Sequence, residues 1–159
     1  MTIRVGDRIP SAILSQMSES GPQPVSTKDY FAGRKVVLFS VPGAFTPTCS
    51  AYHLPGFVEF ADEFSRKGID AIACMAVNDV FVMHAWGKSA DANGIDMLAD
   101  GNGEFTRALG LEMDGTAFGM GQRSQRFALV AENGIVTHLM VEAPGEFRVS
   151  SAEAVLAEL

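Results

Sequence analysis

Apolar runs and amphipathic segments alternate along the chain from residue 35 onward. Residues 35–41 are almost continuously apolar and rich in β-branched side chains, which is typical of a strand buried on both faces. The next segment has apolar side chains at the i, i+3, i+4 and i+7 positions of one helical face: Phe57, Phe60, Ala61 and Phe64. Gly68 is expected to end this helix, and residues 69–77 predict a second buried strand.

The alternation continues in the second half of the chain. Asn78 is expected to cap a helix that carries Phe81, His84 and Ala85. Residues 97–99 predict a short third strand. The helix predicted after it has one apolar face, formed by Phe105, Ala108 and Leu109.

The last third of the chain changes from this pattern to a hairpin. Residues 126–131 and 135–141 read as strands on either side of Asn133-Gly134, the strongest short hairpin signal. Residues 150–153, Ser-Ser-Ala-Glu, predict a capping box at the start of a final helix. Parallel βαβ units followed by an antiparallel hairpin and a helix predict an α/β, thioredoxin-like fold, with a central mixed sheet flanked by helices.

Composition places this fold in one domain over residues 1–159. The chain is 47% apolar, and no linker or internal repeat divides it. No segment approaches the roughly 18 consecutive apolar residues of a membrane span. The formal charge of -7 opposes binding to nucleic acid and to anionic membranes. With only two cysteines and no secretory signal, we expect reduced thiols and a cytoplasmic location.

The segment Pro42 to Cys49 carries the candidate chemistry, because it follows the first buried strand. Pro42 and Gly43 break the strand, and Cys49 then lies where a helix is expected to begin. Unpaired N–H groups at a helix start favour the thiolate, which is the nucleophilic form of cysteine. Thr46 stands where a Cys-x-x-Cys motif would have its first cysteine, so dithiol exchange is excluded at this site. A single activated sulfur suits attack on a small electrophile.

These residues resemble a known family. Pro42-x-x-x-Thr46-x-x-Cys49 matches the active-site motif of the peroxiredoxins, and residues 41–50 together with 53–57 are similar to the atypical type II, or five-like, subfamily. Shorter echoes extend almost from end to end: Val5-Gly6-Asp7, Ile9-Pro10, Ala73-Cys74, Val77-Asn78-Asp79, Ala85-Trp86-Gly87, Leu98-Ala99-Asp100 and Gln125-Arg126-Phe127. The resemblance implies a thioredoxin-like fold and a peroxidase that needs no metal or other cofactor.

The resemblance also implies a reaction at Cys49. Its thiolate attacks one peroxide oxygen, the O–O bond breaks, and the sulfur becomes a sulfenic acid. Pro42 and Thr46 are expected beside the sulfur. A fixed cation must stabilise the departing oxygen, and Arg126 is the candidate because it opens the strand before the hairpin, as the family's catalytic arginine does. Arg123 is the less favoured alternative.

Two nearby side chains have open roles. His53 lies four residues after Cys49 and either tunes the thiolate or has a structural or surface role. Trp86 is expected to be a packing anchor.

The role of Cys74 determines whether a thiol of this chain or an outside thiol reacts with the sulfenic acid of Cys49. Some type II relatives use a cysteine 25 residues after the nucleophile, the position of Cys74, and others use one near the C-terminus, where this chain has Ser150-Ser151. Cys74 lies four residues before Asn78, which is roughly 13 Å along a strand. A disulfide needs Cα atoms within about 7 Å, so a core role is preferred over a resolving role.

An outside thiol is then the expected reductant. By resemblance, the donors are glutaredoxin with glutathione, or thioredoxin, and the protein forms a homodimer. Hydrogen peroxide and small alkyl hydroperoxides are the expected substrates, and the sequence leaves peroxynitrite open as a third. An apolar rim formed by Phe45 and Phe118 would suit small organic peroxides. One alternative is a non-enzymatic thioredoxin-like redox sensor or binding module. A metal site built from Cys49, His53, Cys74 and His84 lacks the short paired spacings of zinc sites.

Overall fold

Nine strands and six α-helices form the protein in the computed structural model, which describes residues 1–159. The strands are β1 (Ile13–Ser18), β2 (Gly21–Ser26), β3 (Lys35–Val41), β4 (Ala71–Ala76), β5 (Asp96–Ala99), β6 (Glu112–Asp114), β7 (Gln122–Ser124), β8 (Phe127–Glu132) and β9 (Ile135–Val141). The helices are α1 (Thr27–Phe31), α2 (Leu54–Glu59), α3 (Ala61–Arg66), α4 (Val80–Ser89), α5 (Glu104–Leu109) and α6 (Ala152–Ala157). A π-helical turn spans Cys49–His53, and a 3-10 turn spans Thr116–Phe118.

Seven of the strands form one mixed sheet, in the order β2-β1-β5-β4-β3-β8-β9. β3, β4 and β5 are parallel neighbours, whereas β8 and β9 continue the sheet in antiparallel fashion. The predicted thioredoxin-like α/β fold is therefore confirmed. Asn133 and Gly134 have φ values of 49° and 78°, as the predicted tight hairpin requires. No helix combines the length and the apolar character needed to cross a membrane.

The sheet separates two hydrophobic cores because side chains alternate along each strand. Val37, Phe39 and Val41 of β3 point into a core cluster of 21 buried residues, which helices α2, α3, α4 and α6 cover. Val36 and Leu38 point into a second cluster of 16 buried residues, covered by α1 and α5. A strand with both faces covered is continuously apolar, which explains why β3 could be predicted from sequence.

Three local predictions need correction, and one hairpin has no counterpart among the predictions. The helix predicted around residues 57–64 is interrupted at Phe60, which separates α2 from α3. The cap of α4 is Asp79, whose carboxylate accepts from the Val82 N–H at 2.9 Å. The expected capping box at residues 150–153 is wrong, because Ser151 caps α6 and accepts from the Ala154 N–H. The β1–β2 hairpin was not predicted, since β2 is an edge strand that tolerates Pro22 and Pro24.

A histidine is buried in the larger core. The His53 ring lies with its centroid 4.9 Å from that of Phe39 and 5.7 Å from that of Phe57. Burial, and secondarily the positive charge of Arg126, lower the pKa of His53 to about 3, although Ser150 and Glu142 oppose this shift. His53 is therefore neutral in the folded protein.

This neutral histidine predicts a loss of stability on acidification. Because the folded pKa lies below the ordinary 6.5, only the unfolded chain takes up the proton as the pH falls from 6.5 toward 3. His53 should then contribute a decrease of roughly 2 kcal/mol in the free energy of unfolding between about pH 6.5 and pH 5. Urea unfolding of the wild type and His53→Gln should give a flatter pH dependence for the variant. Exposed His84→Gln is the control, and equal slopes for all three proteins would contradict the prediction.

Candidate active site

The loop from Pro42 to Thr48 leaves the carboxyl end of β3 and leads into the π-helical turn at Cys49. Asn78, just beyond the end of the neighbouring β4, accepts a hydrogen bond from the Ala44 N–H at 2.9 Å. This contact explains why Asn78 does not cap α4. Phe45 has a φ of 63°, a left-handed conformation that is unusual for a bulky residue. The loop is thus tied to the sheet and holds a strained backbone next to the cysteine.

Two side chains lie within hydrogen-bond distance of the Cys49 sulfur. Thr46 Oγ1 lies 2.8 Å from Sγ, and Arg126 Nη2 lies 3.1 Å from it. Thr46 Oγ1 is also 2.7 Å from the Gly43 carbonyl oxygen, and its single hydroxyl proton can be donated to only one of the two at a time. Cys49 is completely buried. Its sulfur therefore meets fixed donors in place of bulk water.

Arg126 reaches the sulfur because of the register between β3 and β8. Ser40 pairs with Phe127, so Arg126 lies beside Val41 at the point where the Pro42 loop begins. Its Nη1–H donates to His53 Nδ1 at 2.8 Å while Nη2 faces the sulfur. Arg123 instead donates to the carbonyl oxygens of Met120 and Val77. Of the two arginines considered from sequence, only Arg126 contacts Cys49.

His53 connects Arg126 to the C-terminal part of the chain. Its Nε2 lies 2.8 Å from the carbonyl oxygen of Ser150, which can only accept, so Nε2 carries the ring proton. Nδ1 is then free to accept from Arg126. The pKa of His53, lowered to about 3 by burial first and by Arg126 second, is consistent with this neutral tautomer. His53 is therefore buried at the site and not on the surface, a position that fits both a structural role and tuning of the thiolate.

Trp86 packs against the same turn. Its side chain is buried in the larger core, as expected for a packing anchor. Its Nε1–H also donates to Ser50 Oγ at 3.1 Å, and its ring lies 6.4 Å from that of Phe45. Trp86 thus contacts both sides of Cys49 along the chain.

A cavity of about 380 Å³ opens beside the motif. Its lining includes Pro42, Thr48, Gln125, Arg126 and Glu142. Arg126 therefore belongs both to the surroundings of the sulfur and to the wall of this cavity. A small molecule in the cavity would meet the Arg126 guanidinium and Pro42, whereas Cys49 and Thr46 are not part of the cavity wall.

Cys74 lies in the middle of β4, opposite Phe39, and is completely buried. Both cysteines are free thiols and belong to the same core cluster. Burial, and next the charge of Cys49, raise the pKa of the Cys74 thiol, with Arg126 acting in the opposite direction. Cys74 is therefore a poor nucleophile in this fold. No group of three or more metal-binding side chains forms from the cysteines, histidines and carboxylates.

Two residues of the site were not identified from sequence. Glu142, just after β9, lines the cavity, and its carboxylate accepts from the backbone of residues 148–150. Ser150 binds both this carboxylate and the His53 ring. The sequence feature that could have indicated Glu142 is its place as a single acidic residue between an apolar strand and the Pro144-Gly145 turn. Its partners could not be found from sequence because they depend on the path of the following loop.

The chain matches known proteins over nearly all its length. The family model described as Redoxin matches residues 4–156. The chain is 52% identical to Peroxiredoxin-2C of Arabidopsis thaliana, over 99% of this chain and 98% of that protein. Among solved structures, reduced Prx3 from Vibrio vulnificus in complex with H2O2 has a TM-score of 0.96 and 54% identity over 99% of both chains. Peroxiredoxin 5 from Alvinella pompejana has a TM-score of 0.84 and 40% identity, over 98% of this chain and 96% of that one.

The buried Cys49 thiol, with Thr46 and Arg126 within hydrogen-bond distance, is what a peroxiredoxin site would require, and the matches point to the same family. They favour an enzyme over a non-enzymatic redox sensor, because the curated relatives are peroxiredoxins along almost the whole chain. The chain therefore belongs to the Redoxin family, as a type II peroxiredoxin with thiol-dependent peroxidase activity.

Proposed function

We propose that Cys49 is the peroxidatic nucleophile and that Pro42, Thr46 and Arg126 complete the catalytic site. The Cys49 thiolate attacks the nearer peroxide oxygen, an S–O bond forms, and the O–O bond breaks. The departing hydroxide or alkoxide takes up a proton and leaves as water or alcohol, and the sulfur remains as sulfenic acid. The contact of Sγ with both Thr46 and Arg126 is the observation that carries this proposal.

Arg126 is expected to contribute most in the transition state. Negative charge begins on the sulfur and moves toward the departing oxygen as the O–O bond breaks. A guanidinium held beside the sulfur can stabilise the negative charge on both atoms, because it has several N–H groups that point in fixed directions. Pro42 has no N–H to compete for the peroxide and forms part of the cavity wall. Thr46 can donate to, or accept from, the bound peroxide.

The substrates we propose are hydrogen peroxide and small alkyl hydroperoxides. A cavity of about 380 Å³ has Pro42 and Arg126 in its wall and is large enough for either. Phe45, with about half of its side chain exposed, follows Pro42 by three residues and offers an apolar surface to an alkyl group. The polar end of the peroxide would then face Arg126.

We further propose that an external thiol reduces the sulfenic acid. Cys74 is buried within β4, and serine occupies positions 150 and 151, where some relatives have a resolving cysteine. Glutaredoxin with glutathione, or thioredoxin, is the proposed donor. The two free thiols support a reducing compartment, for which the cytoplasm is our proposal.

A homodimer is the proposed assembly, formed through the face that carries the active-site loops. Several large apolar side chains near these loops are exposed: Phe45 at 53%, Tyr52 at 66%, Phe81 at 64% and Phe118 at 81%. Phe118 belongs to the 3-10 turn followed by Met120, whose side chain packs against Gly43. Exposed apolar side chains of this size are typical of a protein interface when they lie together on one face. A second copy of this chain is the proposed occupant.

The two cysteines provide the direct test of the peroxidase mechanism. Cys49→Ser should consume no hydrogen peroxide in a stopped-flow assay, because the only nucleophile of the site is lost. Cys74→Ala removes an equally buried thiol and should keep the fast oxidation step. It should also turn over with glutaredoxin and glutathione, or with thioredoxin. Loss of turnover of Cys74→Ala with every donor would contradict reduction by an external thiol, and peroxide reduction by Cys49→Ser would contradict the nucleophile.

The two arginines provide a matched comparison. Arg126→Gln should lower the second-order rate of peroxide reduction by roughly 100- to 1000-fold, since it removes the charged donor to the sulfur. Arg123→Gln should lower the rate less than about tenfold, because its partners are two backbone carbonyls rather than the sulfur. Stopped-flow traces of both variants would measure this difference. A reversed order of the two effects would assign the cationic role to Arg123.

The proposed dimer can be tested by analytical ultracentrifugation of the reduced protein. The wild type should sediment as a dimer at micromolar concentration. Phe118→Glu should dissociate it, because a charge would be buried without a partner in the interface. Val5→Glu introduces the same charge at an exposed apolar residue of the N-terminal segment and should remain dimeric. A monomeric wild type, or a dimeric Phe118→Glu, would argue against this surface.

A further inference from the structure

The Glu142 carboxylate accepts hydrogen bonds from three consecutive residues near the C-terminus. It accepts from the backbone N–H groups of Arg148, Val149 and Ser150 at 2.8 to 2.9 Å. It also accepts from the hydroxyl of Ser150 at 2.6 Å. Only 6% of the residue is exposed. One carboxylate thus gathers four donors from three consecutive residues and closes the segment 143–150 into a loop.

This loop contacts both Arg126 and His53, the residue that accepts a hydrogen bond from Arg126. The carbonyl oxygen of Ser150 accepts from His53 Nε2, which leaves Nδ1 facing Arg126 Nη1. Phe147 lies over the same pair, with its ring centroid 4.9 Å from that of His53 and 5.7 Å from the Arg126 guanidinium carbon. The loop therefore fixes both the tautomer of His53 and one face of the guanidinium.

The backbone of Glu142 completes a closed set of contacts. Its N–H donates to the Arg126 carbonyl oxygen at 3.0 Å, immediately beyond the paired residues Phe127 and Val141. Glu142 thus holds the main chain of Arg126 directly and its side chain through Ser150 and His53. In this arrangement Arg126 Nη2 faces Cys49.

A carboxylate is the side chain that these contacts require. All the groups that face it are N–H or O–H donors, and an ionised carboxylate accepts through both oxygens without presenting a donor. Burial raises the pKa of Glu142, but the hydrogen bonds from Ser150, Arg148 and Val149 outweigh it and hold the pKa below its ordinary 4.5. Glutamine would keep the size of the side chain but turn an NH2 group toward these donors.

We propose that Glu142 is a positioning residue for Arg126. Its carboxylate folds residues 143–150 so that the Ser150 carbonyl holds His53 with Nδ1 unprotonated, and His53 in turn aims the guanidinium at the Cys49 sulfur. The proposal rests on the catalytic role proposed for Arg126. It assigns to Ser150 a part in the same chain of contacts, through both its hydroxyl and its carbonyl oxygen.

When Glu142 is neutralised, the direction of the change in thiolate formation at Cys49 distinguishes a positioning role from an effect of charge alone. The negative charge of Glu142 by itself disfavours an anion at Cys49, so neutralising it would make the thiolate easier to form. Loss of positioning has the opposite consequence, because the guanidinium would no longer be fixed beside the sulfur. Neutralisation of Glu142 should therefore move thiolate formation to higher pH if the proposal is correct, and to lower pH if the carboxylate acts only through its charge.

The test compares Glu142→Gln with Glu132→Gln in a Cys74→Ala background. Glu132 ends β8 and is exposed, so its replacement makes the same chemical change away from the site. Glu142→Gln should lower the single-turnover rate of hydrogen peroxide reduction by roughly tenfold or more, a size typical of residues that orient a reacting group. The pH midpoint of Cys49 alkylation by a neutral haloacetamide should rise. In nitrogen NMR spectra, His53 should lose its single Nε2–H tautomer. Glu132→Gln should match the parent in all three measurements.

The possible outcomes distinguish this proposal from the one on which it rests. A folded Glu142→Gln with the parent rate, alkylation profile and His53 tautomer would overturn it, as would a lowered melting temperature with an unchanged rate. If Arg126→Gln itself reduces peroxide at the wild-type rate, the catalytic role of Arg126 fails first. Should Glu142→Gln not fold, Ser150→Ala removes only the 2.6 Å bond and leaves the carbonyl in place. It should raise the alkylation midpoint and lower the rate by a few-fold, and no change in either would overturn the proposal.

Discussion

The burial of the Cys49 sulfur is the constraint on which the rest of the site depends. A sulfur without solvent exposure that must react as an anion loses the stabilisation of water, and this loss is costly unless fixed donors replace it. Thr46 and Arg126 are these donors. Arg126 is itself half-buried, so the N–H groups that face the core need acceptors too. A neutral His53 meets that need without drawing away the positive charge as a carboxylate would.

The sheet brings the donors to the sulfur from distant parts of the chain. β3 and β8 are antiparallel neighbours, so the last residues of β3 lie beside the residue that precedes β8. The Pro42 loop and Arg126 therefore meet at one edge, although 77 positions separate Arg126 from Cys49. β4 is the parallel neighbour of β3 on its other side, and Asn78 beyond its end holds the loop through Ala44. The geometry at Cys49 is thus a consequence of strand order.

Much of this arrangement could be predicted from the sequence, for physical reasons that differ between elements. β3 and β4 are buried on both faces and show it in their composition, and the Asn133-Gly134 turn requires backbone angles that few residues tolerate. Arg126 was identified through the family resemblance, because the family's catalytic arginine also opens the strand before the hairpin. The edge hairpin β1–β2 was missed because its prolines oppose a strand prediction. Asn78 and Ser150 were misread as caps, since their true partners, Ala44 and Glu142, come from other elements.

The two cysteines separate the effect of burial from that of hydrogen bonding. Cys49 and Cys74 belong to one core cluster and are equally inaccessible to solvent, so burial alone would make both thiols inert. At Cys74 burial does have this effect, and the pKa of its thiol is raised. Cys49 differs in having a guanidinium and a hydroxyl directed at its sulfur. Since the arginine side chain is flexible by itself, the direction of the guanidinium must be set by the residues that contact it. On the mechanism proposed here, the reactivity of Cys49 depends on the loop from Glu142 to Ser150 as well as on the motif that contains the cysteine.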